Sequence, residues 1–161
     1  MTQEAFKQLF DTYFDKVRNY LYYRSGDAEL ATDIAQDTFM RIWEKQLAPH
    51  PGKEMGLLLK IGMDLFISRF RKQKREQDFT FHIAEDGQSE SPEEVYAYTE
   101  LQTKYAVALK AMEVNQRVVF LMNRNDGLTY QEIAQHLGLS QKAVEKRMSK
   151  ALQYMRTKLL A

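Results

Sequence analysis

The sequence has no cysteine, only 3 prolines and 7 glycines in 161 residues, and no long apolar run. The lack of cysteine excludes disulfides, thiolate metal sites and a cysteine nucleophile. No apolar run approaches the roughly 18 residues of a membrane span, and no amino-terminal stretch resembles a signal peptide, so we expect a cytoplasmic protein. With 28% charged and 44% hydrophobic residues, the composition is typical of a soluble helical protein of one domain or two small ones.

The net charge of +1 conceals three segments of different sign. Residues 1–75 carry 13 basic and 10 acidic side chains, residues 76–100 carry 8 acidic and no basic ones, and residues 101–161 carry 10 basic and 4 acidic ones. Two basic blocks separated by an acidic stretch indicate two modules that bind a polyanion, joined by a segment that does not.

Apolar residues at helical spacing predict three helices in the first block. The first helix ends at Gly26, the second runs from Ala28 to about Lys45, and the third runs from Glu54 to about Lys74. The residues predicted to be buried on the second helix are Ala31, Ile34, Ala35, Thr38, Phe39 and Ile42.

Residues 76–92 lack helical periodicity, which predicts a linker that rejoins a helix near Pro92. Four more helices are expected after it, and no strand. The predicted fold class is therefore all-α, with two small helical domains joined by a flexible acidic linker. The predicted first domain, linker and second domain are residues 1–75, 76–97 and 98–161.

The residues from Thr129 onward have the pattern of a helix-turn-helix. Thr129 and Glu132 form a capping box, Gly138 suits the left-handed residue that ends a helix, and Ser140 is an N-cap for the next helix. The free face of that helix can enter a DNA major groove. It comprises Gln141, Lys142, Glu145, Lys146, Ser149 and Lys150. The alternative is a helical hairpin with a solvated face, but the basic excess favours DNA binding.

The second helix carries an outward acidic strip, edged by Phe39 and Trp43. The strip consists of Asp33, Gln36, Asp37, Met40 and Glu44. Asp33 and Asp37 lie one helical turn apart and repel each other. An acidic and aromatic strip with such a cost to the helix is typical of a docking surface. Spacing alone nevertheless favours a solvated face in which Arg41 pairs with Asp37.

The run from Arg69 to Arg75 holds five Lys or Arg residues in seven, with Phe70 among them. Cations interleaved with aromatic rings suit single-stranded nucleic acid, whereas the dipole at a helix end accounts for only one or two of them. The three histidines have no metal-ligand spacing, so neither a metal nor a cofactor is predicted.

Two stretches resemble parts of a known family. Residues 33–43 resemble the core-binding helix of bacterial extracytoplasmic-function sigma factors, of the sigma-70 superfamily. Gly127–Ala134 and Leu137–Ser140 resemble the fourth conserved region of that family. The likeness covers nearly the whole chain, in the family's order, and it favours the docking interpretation of the acidic strip.

The resemblance implies a non-catalytic subunit that directs core RNA polymerase to the promoters of a stress or envelope-signal regulon. The implied partners are the clamp helices of the largest polymerase subunit, the flap of the second-largest subunit, promoter DNA, and an inhibitory anti-sigma factor. No membrane insertion is implied. The acidic linker resembles the segment that threads through the polymerase's RNA path.

The resemblance also implies a role for particular residues. Those facing core polymerase are Asp33, Gln36, Asp37, Phe39 and Trp43. Those binding the minus-10 element, with the loop 46–56 capturing a flipped base, are His50, Lys53, Lys60, Asp64, Arg69, Arg71, Lys72, Lys74 and Arg75. Those binding the minus-35 element are Ser140, Gln141, Lys142, Lys146, Arg147 and Lys150.

The sequence departs from the family pattern at two points. Asp64 and Ser68 stand where the family has asparagine and aspartate, which puts a negative charge at position 64 beside DNA. Met112 and Glu113 replace a common Leu-Pro, a change that affects a helix start more than DNA contact.

The sequence pattern leaves two other classes of protein as alternatives. A stand-alone dimeric helix-turn-helix regulator would bind palindromic half-sites about one helical turn apart. A helical-bundle enzyme is disfavoured because the sequence has no recognisable nucleophile arrangement, metal cluster or phosphate loop.

Overall fold

The computed structural model describes residues 1–73, Phe81 and residues 91–160, without the side chains of residues 70–73. These residues form seven α-helices and no strand, which confirms the all-α prediction. The helices are α1 (Gln3–Ser25), α2 (Ala28–Glu44), α3 (Glu54–Gln73), α4 (Pro92–Ala111), α5 (Val114–Arg124), α6 (Tyr130–Leu137) and α7 (Gln141–Leu160). Within the described ranges, no helix is both long and apolar enough to span a membrane.

The break between α1 and α2 forms as the sequence predicts. Gly26 takes a left-handed φ of 74° and its N–H donates to Tyr22 O at 2.7 Å, which closes α1. The Asp27 side chain then accepts a hydrogen bond from Leu30 N at 3.0 Å and caps α2. These two residues turn the chain so that α2 packs back along α1.

The core of the first half lies between α1, α2 and α3. Phe39 of α2 is 1% exposed and its ring meets those of Phe6, Phe10 and Phe14 of α1, with centroids 5.1–6.4 Å apart. At Gly62, α3 lies close to α2, where a Cβ would stand 3.4 Å from Thr38 Oγ1, an ordinary van der Waals contact. The buried face of α2 consists of the six residues predicted from periodicity.

The second half is built around α7, against which α4, α5 and α6 pack. Glu113 caps α5, because its carboxylate accepts hydrogen bonds from Asn115 N and Gln116 N at 3.0 Å. The start of α5, which the departure from Leu-Pro was expected to affect, is therefore secured by a side-chain cap. Ser91 and Glu94 form a capping box at the start of α4.

The predicted linker lies mostly outside the described residues, namely at 76–80 and 82–90. Residues 92–97, which were assigned to it, form the first turns of α4. The domain boundaries stay a prediction. Phe81, within the predicted linker, is 3% exposed and its ring lies 5.4 Å from that of Tyr22.

The two halves contact each other, with α1 against α5 and α3 against α6. The buried Arg117 of α5 connects them: its Nε donates to Tyr23 O and its Nη2 to Arg24 O, both at 2.8 Å. These carbonyls belong to the carboxyl end of α1, where a helix has unsatisfied acceptors. The arrangement of the halves was not predicted from the sequence.

Two glycine-to-alanine substitutions should change stability in opposite directions. Gly62→Ala should raise the free energy of unfolding by about 0.5–1 kcal/mol, because a Cβ in α3 would make ordinary van der Waals contacts and reduce the freedom of the unfolded chain. Gly138→Ala should lower it by about 1 kcal/mol, because φ is 66° there. Urea unfolding followed by circular dichroism measures both, and a loss of stability in Gly62→Ala would contradict the packing described for α3.

Candidate nucleic-acid and docking interfaces

The acidic strip of α2 faces solvent. Asp33, Gln36 and Glu44 are exposed, and Met40 is 56% exposed although it is apolar. Trp43 is half-buried, with its ring centroid 5.2 Å from that of Phe6. An apolar side chain among exposed carboxylates is suited to contact with another protein.

Phe39 differs from the others assigned to this strip. Its side chain is buried under the helix, so a direct contact with polymerase does not fit this structure. The reason is its position on α2, which turns the ring toward the aromatic residues of α1. Phe39 supports the strip from beneath.

Asp37 pairs with Arg69 of α3. The expected alternative was Arg41, but the described structure shows no ion pair between Arg41 and Asp37, and Arg41 is exposed. Both partners are partly exposed, so the pair has a modest effect on stability. It joins a residue assigned to polymerase binding with one assigned to DNA binding.

The loop before α3 and the first turns of α3 carry the other residues assigned to the minus-10 element. His50, Lys53, Lys60 and Asp64 are all exposed. Lys60 and Asp64 are one turn apart on the same helix face. The side chains of Arg71 and Lys72 are not described, and Lys74 and Arg75 lie outside the described residues.

The helix-turn-helix forms as predicted in α6 and α7. Thr129 Oγ1 accepts from Glu132 N at 3.1 Å and Glu132 Oε1 from Thr129 N at 3.2 Å, which completes the capping box and holds the pKa of Glu132 below its usual value. Gly138 has a left-handed φ of 66°, and the Ser140 hydroxyl accepts from Ala143 N at 3.1 Å. This geometry fixes the start of α7.

The outward face of α7 carries the residues assigned to the minus-35 element. All are exposed except Arg147, which is half-buried: Ser140, Gln141, Lys142, Lys146, Arg147 and Lys150. On the opposite face Val144, Met148 and Ala151 are buried. Four cations therefore lie on the amino-terminal half of α7, whose opposite face is fixed by buried packing. Such a surface suits contact with a phosphate backbone or with base edges.

A cleft of about 1240 Å³ lies between the two halves. One wall includes His50, Lys53 and Lys60, and the other includes Gln135 and His136 of α6. The loop assigned to base capture therefore faces the helix-turn-helix.

His136 is half-buried at this cleft. Its Nδ1 is shielded from solvent and has no hydrogen-bond partner among the described residues. Burial lowers the pKa of His136, Lys16 of α1 lowers it further, and Glu132 opposes the shift.

The lowered pKa of His136 predicts a loss of stability in mild acid. The neutral imidazole is favoured in the folded chain, so this stability is present above the ordinary pKa of about 6.5. It is lost as the pH falls from there toward the lower folded pKa, because the unfolded chain binds the proton more readily. Urea unfolding at pH 7.5 and 5.5 should show a larger loss for the wild type than for His136→Gln. Equal losses would contradict the prediction.

Four polar side chains at the boundary between the halves are not predicted by the sequence pattern: Asn19, Tyr23, Arg117 and Asp126. Asp126 accepts hydrogen bonds from Tyr23 Oη at 2.5 Å and from Asn19 Nδ2 at 3.4 Å. Burial is the main cause that raises the pKa of Tyr23 and of Asp126 and lowers that of Arg117. One signal was available, since Arg117 precedes the apolar run Val118–Met122 and shares its buried helix.

Comparisons with known proteins agree with this architecture. Residues 9–76 match the family model for sigma-70 region 2, and residues 103–155 match the model for sigma-70 region 4. The ferric citrate uptake sigma factor FecI of Escherichia coli is 30% identical over 152 residues, which cover 93% of this chain and 88% of FecI. The ECF RNA polymerase sigma factor SigX of Bacillus subtilis is 26% identical over 162 residues, covering 96% and 83% of the two chains.

A solved structure shares the fold. It is that of the sigma factor RpoE in complex with the anti-sigma factor NepR from Bartonella quintana, and the match covers 98% of each chain with a TM-score of 0.64 and 21% identity. The two region matches span most of the sequence in the order of the family. The chain therefore belongs to the extracytoplasmic-function sigma factors of the sigma-70 family.

Proposed function

We propose that this sigma factor binds core RNA polymerase through the exposed strip of α2 and promoter DNA through α3 and α7. The observation that carries the proposal is the separation of two kinds of surface on one helical frame. The strip on α2 is acidic and holds an exposed Met40, whereas the amino-terminal half of α7 exposes three lysines. A protein partner suits the first surface and a polyanion suits the second.

On α2, the polymerase contact is assigned to Asp33, Gln36 and Trp43, with Asp37 at its border. Phe39 acts indirectly by holding the backbone of α2 against α1. The acidic character of the strip suits a basic partner surface, and we assign that surface to the clamp helices of the largest subunit.

On the minus-10 side, we assign phosphate contacts to Lys53 and Lys60, and capture of a flipped base to the loop that contains His50. Asp64 lies one turn after Lys60 and repels phosphate, so it favours a contact with a base donor there. Arg69 is engaged by Asp37, and binding of DNA would require it to leave or share this carboxylate.

On the minus-35 side, the exposed face of α7 enters the major groove. Gln141 and Lys146 are suited to base edges, and Lys142, Arg147 and Lys150 to phosphates. The Gln141 side chain lies 3.5 Å from Glu145 Oε1, a weak contact that DNA can replace.

The remaining partners are proposed from the family. They are the flap of the second-largest polymerase subunit and an inhibitory anti-sigma factor, a partner of the kind that NepR is for RpoE. The acidic linker is assigned to the RNA path of polymerase, where its net charge of −7 over residues 76–97 replaces that of nucleic acid. The subunit itself is non-catalytic and acts in the cytoplasm, where transcription takes place.

Run-off transcription with purified core enzyme tests the function. Genomic fragments whose transcripts rise when the protein is overproduced serve as templates. We expect promoter-specific transcripts only when both the protein and core enzyme are present. Tight binding of the free protein to palindromic sites, with no transcript, would instead establish a stand-alone regulator.

Charge reversal on the α2 strip should weaken polymerase binding. Asp33→Arg places a cation where the partner surface is proposed to be basic, so co-purification with core enzyme should fall at least about tenfold. Asp11→Arg, an equivalent change at an exposed position of α1, is the control and should bind normally. Equal recovery of the two variants would remove Asp33 from the interface.

Truncation of Lys146 should weaken binding to the minus-35 duplex. The expected loss for Lys146→Ala is about 1–3 kcal/mol if the side chain reaches a base, with relaxed specificity at one position. If it reaches a phosphate, the loss should be similar for all sequences and the salt dependence should decrease. Lys158→Ala, at the far end of α7, is the control, and fluorescence anisotropy with labelled duplex measures both. Wild-type affinity in Lys146→Ala would exclude the residue from the site.

A further inference from the structure

Met40 differs from the other methionines of the chain in its exposure. All eight methionines lie in the part of the chain that the structure describes. The side chain of Met40 is 56% exposed. Of the others, Met1 and Met63 are half-buried, and the buried ones are Met55, Met112, Met122, Met148 and Met155. A reagent dissolved in water therefore reaches the thioether of Met40 more readily than that of any buried methionine.

Met40 lies in the middle of the α2 strip. Gln36 precedes it by one helical turn and Glu44 follows it by one turn, so polar side chains lie on both sides of the thioether along the helix. Trp43, three positions further on, is half-buried and adds apolar surface beside it. Protein interfaces have an apolar centre with a polar rim, and methionine is enriched in them. Met40 therefore suits the centre of the polymerase contact, a step that rests on the proposed function.

The thioether of Met40 is open to oxidation by a hydroperoxide. The chain has no cysteine, so its methionines are its only sulfur groups. The sulfur lone pair attacks one peroxide oxygen, an S–O bond forms and the O–O bond breaks. The proton on the transferred oxygen passes to the departing hydroxide, which leaves as water. The sulfur is thereby oxidised by two electrons, the peroxide is reduced, and the product is a polar sulfoxide.

The free protein can carry this sulfoxide without damage to its core. Met40 is not among the residues on the buried face of α2, so the new S=O group stays in contact with water. Hydrogen peroxide is uncharged, so the carboxylates of the strip do not repel it. The change in polarity is therefore confined to the surface of α2.

Docking of a protein partner changes this balance. The partner would remove water from the S=O group and bury the group among apolar atoms. An acceptor that loses its hydrogen bonds on burial has a free-energy cost that corresponds to a decrease in affinity of about tenfold. Unmodified methionine has no such cost, because its thioether is apolar.

We propose that Met40 is an oxidation site whose modification by a hydroperoxide lowers the affinity of this sigma factor for core RNA polymerase. The reaction takes place on the free protein, since docked polymerase covers the thioether. Methionine sulfoxide reductases, with a dithiol as reductant, restore the thioether and make the effect reversible. Transcription from the promoters that this subunit serves therefore falls as peroxide rises.

Peptide mass spectrometry of the full-length protein tests the site. The protein is treated with hydrogen peroxide until about one oxygen atom has been added per chain, and catalase then removes the peroxide. Most of the added oxygen should lie on Met40, and little on the five buried methionines. An even distribution of oxygen over all eight methionines would overturn the assignment of the site.

The treated protein is then tested for binding to core RNA polymerase by biolayer interferometry. Oxidised wild type should bind about tenfold more weakly than untreated wild type. Incubation with methionine sulfoxide reductases of both stereospecificities and dithiothreitol should restore the affinity. Equal affinity of the untreated protein and of protein carrying the Met40 sulfoxide would overturn the proposal.

Two leucine variants separate Met40 from the other methionines. Each variant is compared with its own untreated sample. Peroxide should not change the affinity of Met40→Leu, because leucine is apolar and has no sulfur. Met63→Leu removes a half-buried methionine of α3 and should respond to peroxide as the wild type does. A tenfold loss in treated Met40→Leu would place the effect elsewhere and overturn the proposal.

The untreated wild type separates this proposal from the proposed function. If it fails to bind core enzyme, the proposed function fails, and the effect of Met40 on docking fails with it. If untreated and oxidised wild type bind equally well, the proposed function stands and the proposal for Met40 is wrong. Circular dichroism should show the same helix content before and after treatment. A loss of helix in the treated wild type would place the effect in the core and would also overturn the proposal.

Discussion

The burial of Arg117 is the constraint on which the arrangement of the chain depends. A guanidinium taken out of water must keep its donors engaged, since a buried charge without hydrogen bonds is strongly unfavourable. Here the acceptors are backbone carbonyls near the carboxyl ends of two helices, 93 and 94 residues away in α1 and 8 residues away in α4. The same guanidinium therefore donates hydrogen bonds at the carboxyl ends of two helices and fixes how the halves meet.

The surfaces proposed to bind polymerase and DNA lie on the outside of this frame. The α2 strip, the loop before α3 and the amino-terminal half of α7 are all solvent-exposed, while apolar faces behind them form the cores. The near-neutral total charge is consistent with nucleic-acid binding because its components are separated along the chain. Basic groups are concentrated in the two parts proposed to bind DNA and acidic groups in the segment between them, so each part suits a different region of the polymerase complex.

The sequence predicts the local structure well because local structure has local causes. The capping box at Thr129 and the left-handed Gly138 depend on residues within a few positions, and both form as expected. Contacts between distant residues had no comparable signal. Asp37 pairs with Arg69 rather than the neighbouring Arg41. Periodicity predicts that Phe39 is buried, but not that its ring packs against three rings of α1. Arg117 was overlooked for the same reason, since its partners lie in another half of the chain.

Small-angle X-ray scattering of the free, full-length protein tests most directly whether the two halves form one closed unit. The account predicts that the scattering curve of the wild type matches the closed arrangement, and that Arg117→Met shifts it toward a larger radius of gyration while the helix content is kept. A wild-type curve that requires two separated bodies would contradict it.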